Sequence, residues 1–200
     1  RTRGESAGRG TKGSDSGGGD APPQRHRHRG GGNGKDARAP TPDELAEMRR
    51  LVAESIDQGA MGFATGLYYA PGSYSLTDEV IALAQEAADR GVVYSSHLRS
   101  EGADSCGIFT AYQEAIEIGR RTGVRVQISH VKCKGTEVWG RAPEVIEMIE
   151  RARREGLDVA GDQYPYTRSS TSITGALFPR WSLEGGRQKT LDRMQTAASR

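Results

Sequence analysis

From residue 41 onward the apolar positions alternate between two spacings. Leu45, Met48, Leu51, Val52 and Ile56 recur at helical intervals. The run opens on Thr41-Pro42-Asp43-Glu44, where Thr41 can accept from the third helical N–H while Glu44 reaches back to the Thr41 N–H. Pro42 suits the first helical position and Asp43 complements the helix dipole. The spacing therefore predicts a helix ending near Gln58-Gly59, followed by a brief strand over 61–65 and a loop over 66–74 that holds Pro71-Gly72. A second helix starts at Thr77 and runs through Val80, Ile81, Leu83, Ala84 and Ala87 to Arg90-Gly91. A strand over 92–97 and a polar loop over 98–105 come next. The third helix uses Ile108, Tyr112, Ala115, Ile116 and Ile118 and ends at Thr122-Gly123. It leads into a strand over 124–130, a loop over 131–140, a fourth helix over 143–154 and a strand over 157–163.

These units repeat. Glycines that can end helices stand at Gly59, Gly91, Gly123 and Gly156, 32, 32 and 33 residues apart, and each precedes a short apolar strand. Helix, glycine, strand, polar loop is the grammar of an α/β protein with a parallel sheet. The strands read as almost wholly apolar, as expected where helices cover the sheet. About four βα units are present, whereas a full (β/α)8 TIM barrel takes about 250 residues. The expectation is a partial TIM barrel belonging to a longer chain. After Tyr166 the pattern dissolves into Ser, Thr and Gly, and the helix-like run over 187–200 has no strand behind it.

Composition changes this picture at the N-terminus. Residues 1–40 hold eleven glycines and nine Lys or Arg against four Asp or Glu, with no aliphatic side chain larger than Ala. Such a stretch cannot offset the entropy of its own ordering, so residues 1–40 are expected to be a disordered low-complexity tail and residues 41–200 the folding unit. The same bias is what a GC-rich gene yields when translated out of frame. Within the tail, Arg25-His26-Arg27-His28 imitates a His-x-His metal pair but has no stiff strand to aim its rings. Beyond the tail, nineteen basic face twenty-two acidic side chains, so the overall charge of +2 averages a basic tail and a slightly acidic body. That balance argues against a nucleic-acid partner. No run approaches the ~20 apolar residues of a membrane span. Cys106 and Cys133 lack CxxC spacing, which favours a reduced, cytoplasmic setting.

The chemistry concentrates where strands meet loops. One predicted strand ends in Ser96-His97-Leu98-Arg99-Ser100-Glu101 and the next in Ser129-His130-Val131-Lys132. In parallel α/β folds such C-terminal strand ends open on one rim, where active sites lie. Neutral imidazoles on rigid strands suit Zn²⁺, and His97 and His130 are candidate ligands of a shared ion. A third protein ligand cannot be named from the sequence. Lys132 and Arg99 can hold a substrate carboxylate, the first as a point charge and the second bidentately. Tyr164, in Asp162-Gln163-Tyr164-Pro165-Tyr166, can donate to the same group. Plainer roles compete with each of these: a hydrogen-bonded structural histidine, an exposed Arg99–Glu101 ion pair, a solvated Lys132, a turn at Tyr164-Pro165-Tyr166, an inert Cys133 thiol.

Taken together, Gly59-Ala60-Met61-Gly62-Phe63-Ala64-Thr65-Gly66-Leu67, the two histidine strand ends and the Asp-Gln-Tyr-Pro-Tyr segment resemble the N-acyl-D-amino-acid deacylases (D-aminoacylases) of the amidohydrolase superfamily. The resemblance spans residues 35–193. It implies part of a metal-dependent (β/α)8 barrel, Zn²⁺ as cofactor, and hydrolysis of a small-molecule N-acyl-D-amino acid to a D-amino acid and a carboxylate. By the same resemblance His97 and His130 are zinc ligands, Lys132 and Tyr164 bind the substrate carboxylate and its surroundings, and Ser170 makes a further substrate contact. The family's first-strand His-x-His pair, its cysteine ligand and its catalytic aspartate fall outside this chain, so the 200 residues alone are expected to be inactive. Asp162 stands on a different strand and does not take the aspartate's role. A cyclic amidase of the hydantoinase or dihydroorotase kind and a non-catalytic α/β binding module are the alternatives.

Overall fold

The computed structural model describes residues 37–196. The expected tail lies outside the described residues except for its last four positions.

Helix α1 spans Pro42–Asp57 and begins with the expected reciprocal cap. The Glu44 N–H donates to Thr41 Oγ1 at 3.2 Å and the Thr41 N–H to Glu44 Oε2 at 2.8 Å. Strand β1 (Gly62–Gly66), helix α2 (Thr77–Asp89), β2 (Val93–His97), α3 (Ile108–Thr122), β3 (Arg125–Ile128), α4 (Ala142–Arg154) and β4 (Val159–Gly161) follow in order. Two short helices, α5 (Ile173–Leu177) and α6 (Gly186–Gln195), occupy the segment where the sequence pattern dissolved. The four strands form one parallel sheet in the order β1-β2-β3-β4. This is the open, four-unit portion of a (β/α)8 barrel. Gly59, Gly91, Gly123 and Gly156 all have positive φ (105°, 66°, 73° and 90°), with open space where a Cβ would stand. Their glycine is required by backbone conformation rather than by packing.

One expectation needs correction. The strands are not apolar throughout but alternate. Phe63, Thr65, Tyr94, Ser96, Val126, Ile128 and Val159 are buried under the helices. Gly62, Ala64, Ser95, His97 and Gln127 face the other side, which in a barrel is the lumen. Because that side is lined by small and polar groups, each strand needs only every second residue for the core. On the helix side Phe63 and Tyr94 stack at 5.7 Å between ring centroids. Tyr94, fully enclosed, shares a 2.8 Å hydrogen bond with Thr65 Oγ1, and burial pushes its phenol up to about 12. Among the described residues no helix is long and apolar enough to cross a membrane.

Candidate metal and substrate site

Parallel pairing puts His97 beside Gly66 at the C-terminal end of β2. His130 does not end a strand as expected. β3 stops at Ile128, and His130 lies in a turn with φ 43°, a left-handed conformation uncommon for a side chain of this size. Asp162, just past β4, holds it there: Oδ1 accepts the His130 N–H at 2.6 Å and Oδ2 accepts from Gln127 Nε2 at 2.8 Å. The aspartate thus shapes the turn that turns the second imidazole toward the first. The rings meet edge to face, with centroids 4.4 Å apart.

Between them stands a carboxylate. Glu101 Oε1 lies 3.0 Å from His130 Nδ1 and 3.8 Å from His97 Nε2. His97, Glu101 and His130 each offer a donor atom, all within 4.8 Å of one another, and form the one such cluster among the described residues. Glu101 is the donor that sequence reasoning missed. An exposed pair with Arg99, two residues before it, is the plainer role its neighbourhood offers, and no local pattern shows that the loop turns its side chain inward instead.

The electrostatics follow from burial and crowding. Burial, aided by the charges of His130 and Lys132, outweighs the attraction of Glu101 and depresses His97 to about 4, so its ring is neutral at ordinary pH. Burial pushes the Glu101 carboxyl up, but hydrogen bonds from His130 and Lys132 more than reverse this, leaving it below its ordinary value and ionised. A cation fits this cluster on two observations. His97 Nε2 is buried without a hydrogen-bond partner among the described residues. The Lys132 ammonium already bonds Glu101 Oε1. One of the three donors therefore holds a positive charge as it stands, and His97 has a ring nitrogen to offer.

Around the cluster is a cavity of about 380 Å³ whose wall includes Lys132, Tyr164 and Ser170. The Lys132 ammonium lies 5.6 Å from the Tyr164 ring centroid. Arg99 is not brought here. Its guanidinium grips Glu114 of α3 through two 2.8 Å hydrogen bonds and donates to the carbonyls of Ser73 at 3.1 Å and Ser75 at 2.9 Å. With its donors committed, Arg99 fastens the loop after β2 to α3 and to the turn after β1; neither a substrate-facing position nor the Arg99–Glu101 pair is found. Cys106 and Cys133 are both free, and burial raises both thiols above their ordinary range.

No protein-family model matches the chain. Among curated proteins it is 42% identical over 137 residues to an N-acyl-D-glutamate deacylase and 38% identical over 136 residues to a D-aminoacylase, both of Alcaligenes xylosoxydans xylosoxydans. Each match takes in 68% of this chain. Among solved structures, the N-acyl-D-glutamate deacylase of Bordetella bronchiseptica, complexed with zinc and a phosphonate mimic of the tetrahedral intermediate, superposes with a TM-score of 0.62 at 39% identity, covering 66% of this chain and 27% of that one. A D-aminoacylase described as defining a novel subset of amidohydrolases gives 0.61 at 37% identity, covering 65% and 27%. The chain spans a little over a quarter of the curated relatives' length, 28% and 27% for the two compared. Over the matched two thirds of its own length, in sequence and in fold, the chain belongs to the N-acyl-D-amino-acid deacylase (D-aminoacylase) family of the amidohydrolase superfamily.

Proposed function

We propose that these residues form the central strands of a zinc-dependent deacylase site, which hydrolyses the amide bond of N-acyl-D-amino acids to a D-amino acid and a carboxylate. The observation that carries this reading is the convergence of His97, Glu101 and His130 within 4.8 Å at the rim of neighbouring parallel strands. Two imidazoles and a carboxylate are a donor set suited to Zn²⁺. A solved relative that shares 39% of matched positions holds that ion. Zinc, when bound, supplies Lewis acidity, which makes water nucleophilic near neutral pH and polarises an amide carbonyl.

The chain's own residues have separable tasks. His97 and His130 hold the metal. Glu101 is aimed to serve as third ligand, or as the carboxylate that takes the His130 Nδ1–H and fixes the ring with Nε2 outward. Lys132 takes the substrate's α-carboxylate. Its ammonium is engaged by Glu101 Oε1 and the His130 carbonyl, so a dication held by Glu101 frees it for that task. Tyr164 and Ser170, on the same cavity wall, donate to the carboxylate and its surroundings. The proton-transferring aspartate is sought outside residues 41–200, which form one catalytic unit with it. A reducing, cytoplasmic setting belongs to the same proposal, supported by the two free thiols.

The test has two parts. Equilibrium dialysis of the 200-residue chain should find bound zinc, lost in His97→Ala and His130→Ala. Glu101→Gln separates the two roles of that carboxylate: loss as complete as in the histidine variants marks a ligand, a fall of about 10–100-fold in affinity a positioning partner. The chain alone should release no D-amino acid from N-acetyl-D-glutamate or N-acetyl-D-methionine, and a protein supplying the remaining barrel strands should do so only with zinc. Absence of zinc binding, or zinc-independent hydrolysis, rejects the reading.

A further inference from the structure

Strand alternation by itself sends the second histidine to the wrong face of the sheet. Along β3, Val126 and Ile128 are buried under the helices, and Gln127 lies on the lumen side. Ser129 keeps to this alternation: its hydroxyl lies 3.1 Å from that of Ser95, itself on the lumen side of β2. The next position, His130, would by the same rule turn toward the helices. Its ring instead stands 4.4 Å, centroid to centroid, from that of His97, which belongs to the lumen side.

The hydrogen bonds between β3 and β4 show how this parity is reversed. The Val126 N–H donates to the Asp158 carbonyl at 2.8 Å and the Asp162 N–H to the Ile128 carbonyl at 3.2 Å. The next rung of the parallel ladder would join the His130 N–H to the Asp162 carbonyl. That carbonyl accepts from Val131 at 2.8 Å instead, so His130 is one residue extra to the ladder. This is the arrangement of a β-bulge, which re-aims a side chain. Its cost is the φ of 43° at His130, a positive value shared by only one other non-glycine residue among those described, Ser105. The displaced His130 N–H goes to Asp162 Oδ1 at 2.6 Å, and Gln127 Nε2 holds the other oxygen, Oδ2, at 2.8 Å. The N–H, the carbonyl and both carboxylate oxygens of Asp162 are thus all committed to residues 127–131.

We infer that Asp162 is a positioning residue for the metal centre: its carboxylate closes a one-residue bulge that carries His130 from the helix side of β3 to the lumen, where it can share an ion with His97. This rests on the proposed function, in which both imidazoles hold zinc. Asp162 is not itself one of the clustered donors, which are His97, Glu101 and His130. Without its carboxylate, nothing rewards the left-handed conformation of His130, and the residue relaxes toward the extended one with its ring turned from His97.

Two variants of the 200-residue chain test this, Asp162→Ala and Asp162→Asn. Alanine leaves the backbone bonds and removes both side-chain ones. Asparagine gives up the charge but keeps an oxygen for the His130 N–H, and Gln127 can turn its amide to accept from the new NH2. Zinc affinity by equilibrium dialysis should fall about 10–100-fold in Asp162→Ala, the usual loss for a partner that orients a metal ligand. Asp162→Asn should recover more than half of that loss on a logarithmic scale, and not all of it, because a neutral acceptor is weaker than a charged one. In the metal-free chain the His130 backbone amide should resonate downfield in the parent, move upfield with alanine and return most of the way with asparagine. Asp162 is exposed and the relieved strain offsets the lost bond, so the metal-free thermal midpoint should stay at the parent's value. A loss under tenfold with alanine, or asparagine no better than alanine, overturns this inference and leaves the proposed function standing. A metal-free midpoint that falls in step with affinity marks a merely structural role and does the same. Failure of the parent chain to bind zinc overturns both.

Discussion

Replacing Arg99 by Met distinguishes a structural arginine from a substrate-binding one. The side chains of Arg99 and Glu114 are 14% and 9% exposed. Their pair is bidentate, and the same guanidinium caps the carbonyls of Ser73 and Ser75. Removing one partner of a buried pair costs about 3–5 kcal/mol, most of it from the charge left without compensation. Here Thr77 still donates to Glu114 Oε1 at 2.7 Å and the pair keeps some solvent contact, which places Arg99→Met near the bottom of that range, about 3 kcal/mol. For a domain of this size each kcal/mol moves the midpoint by about 2–4 °C, so a drop of roughly 6–12 °C is expected. Urea denaturation should show a lower midpoint at unchanged slope. The double variant Arg99→Met/Glu114→Leu should recover part of the loss, because no buried charge is then orphaned. A loss below about 1 kcal/mol would mean that the pair behaves as a surface ion pair, refuting the fastening role. Unchanged stability together with weakened binding of carboxylate ligands would return Arg99 to the substrate.

Two further outcomes follow from the helix ends. Gly123→Ala places a side chain at φ 73°, where the surrounding space is open, and should cost about 1 kcal/mol in urea denaturation through backbone conformation alone. The Arg38 guanidinium and the Thr41 N–H hold Glu44 down to about 2, well under the unfolded carboxyl at about 4.3. Its contribution is therefore complete above the unfolded value and lost as pH falls toward 2, and the stability gap between the parent and Glu44→Gln should shrink over that window.

The elements were legible because local rules and tertiary demands coincided. The reciprocal cap at Thr41 and Glu44 is set within one turn of helix, and the positive φ of the four repeat glycines depends on the residue itself. The end of β3 departs from the local pattern for a nonlocal reason: Asp162, 32 residues along the chain, takes the His130 N–H out of the extended ladder. Alternation along the strands is not legible in the sequence because Ala, Gly and Ser serve a small lumen as well as a core. The histidines could be suspected from their equivalent places in successive repeats. Glu101 could not, since its partners are 29 and 31 residues away and the nearest arginine offered a simpler match.

The geometry of the cluster also explains why the donors are held so firmly. The parallel ladder continues past the strand ends: Leu67 N–H donates to the His97 carbonyl at 3.1 Å, Ser129 to Ser96 at 3.0 Å, and Val131 to Asp162 at 2.8 Å. Lys134 then binds the Glu101 carbonyl at 2.7 Å, tying the loop after β2 to the loop after β3. Backbone bonds therefore fix all three donor positions, and Asp162 adds the turn at His130. Such rigidity costs stability locally, because a buried ring nitrogen without a partner forfeits about 1–3 kcal/mol and His130 sits in a disfavoured conformation. A rim arranged for stability alone would fill this place with apolar side chains. What the arrangement gains is a donor set already assembled before an ion or substrate arrives, so binding need not offset the ordering of the loops.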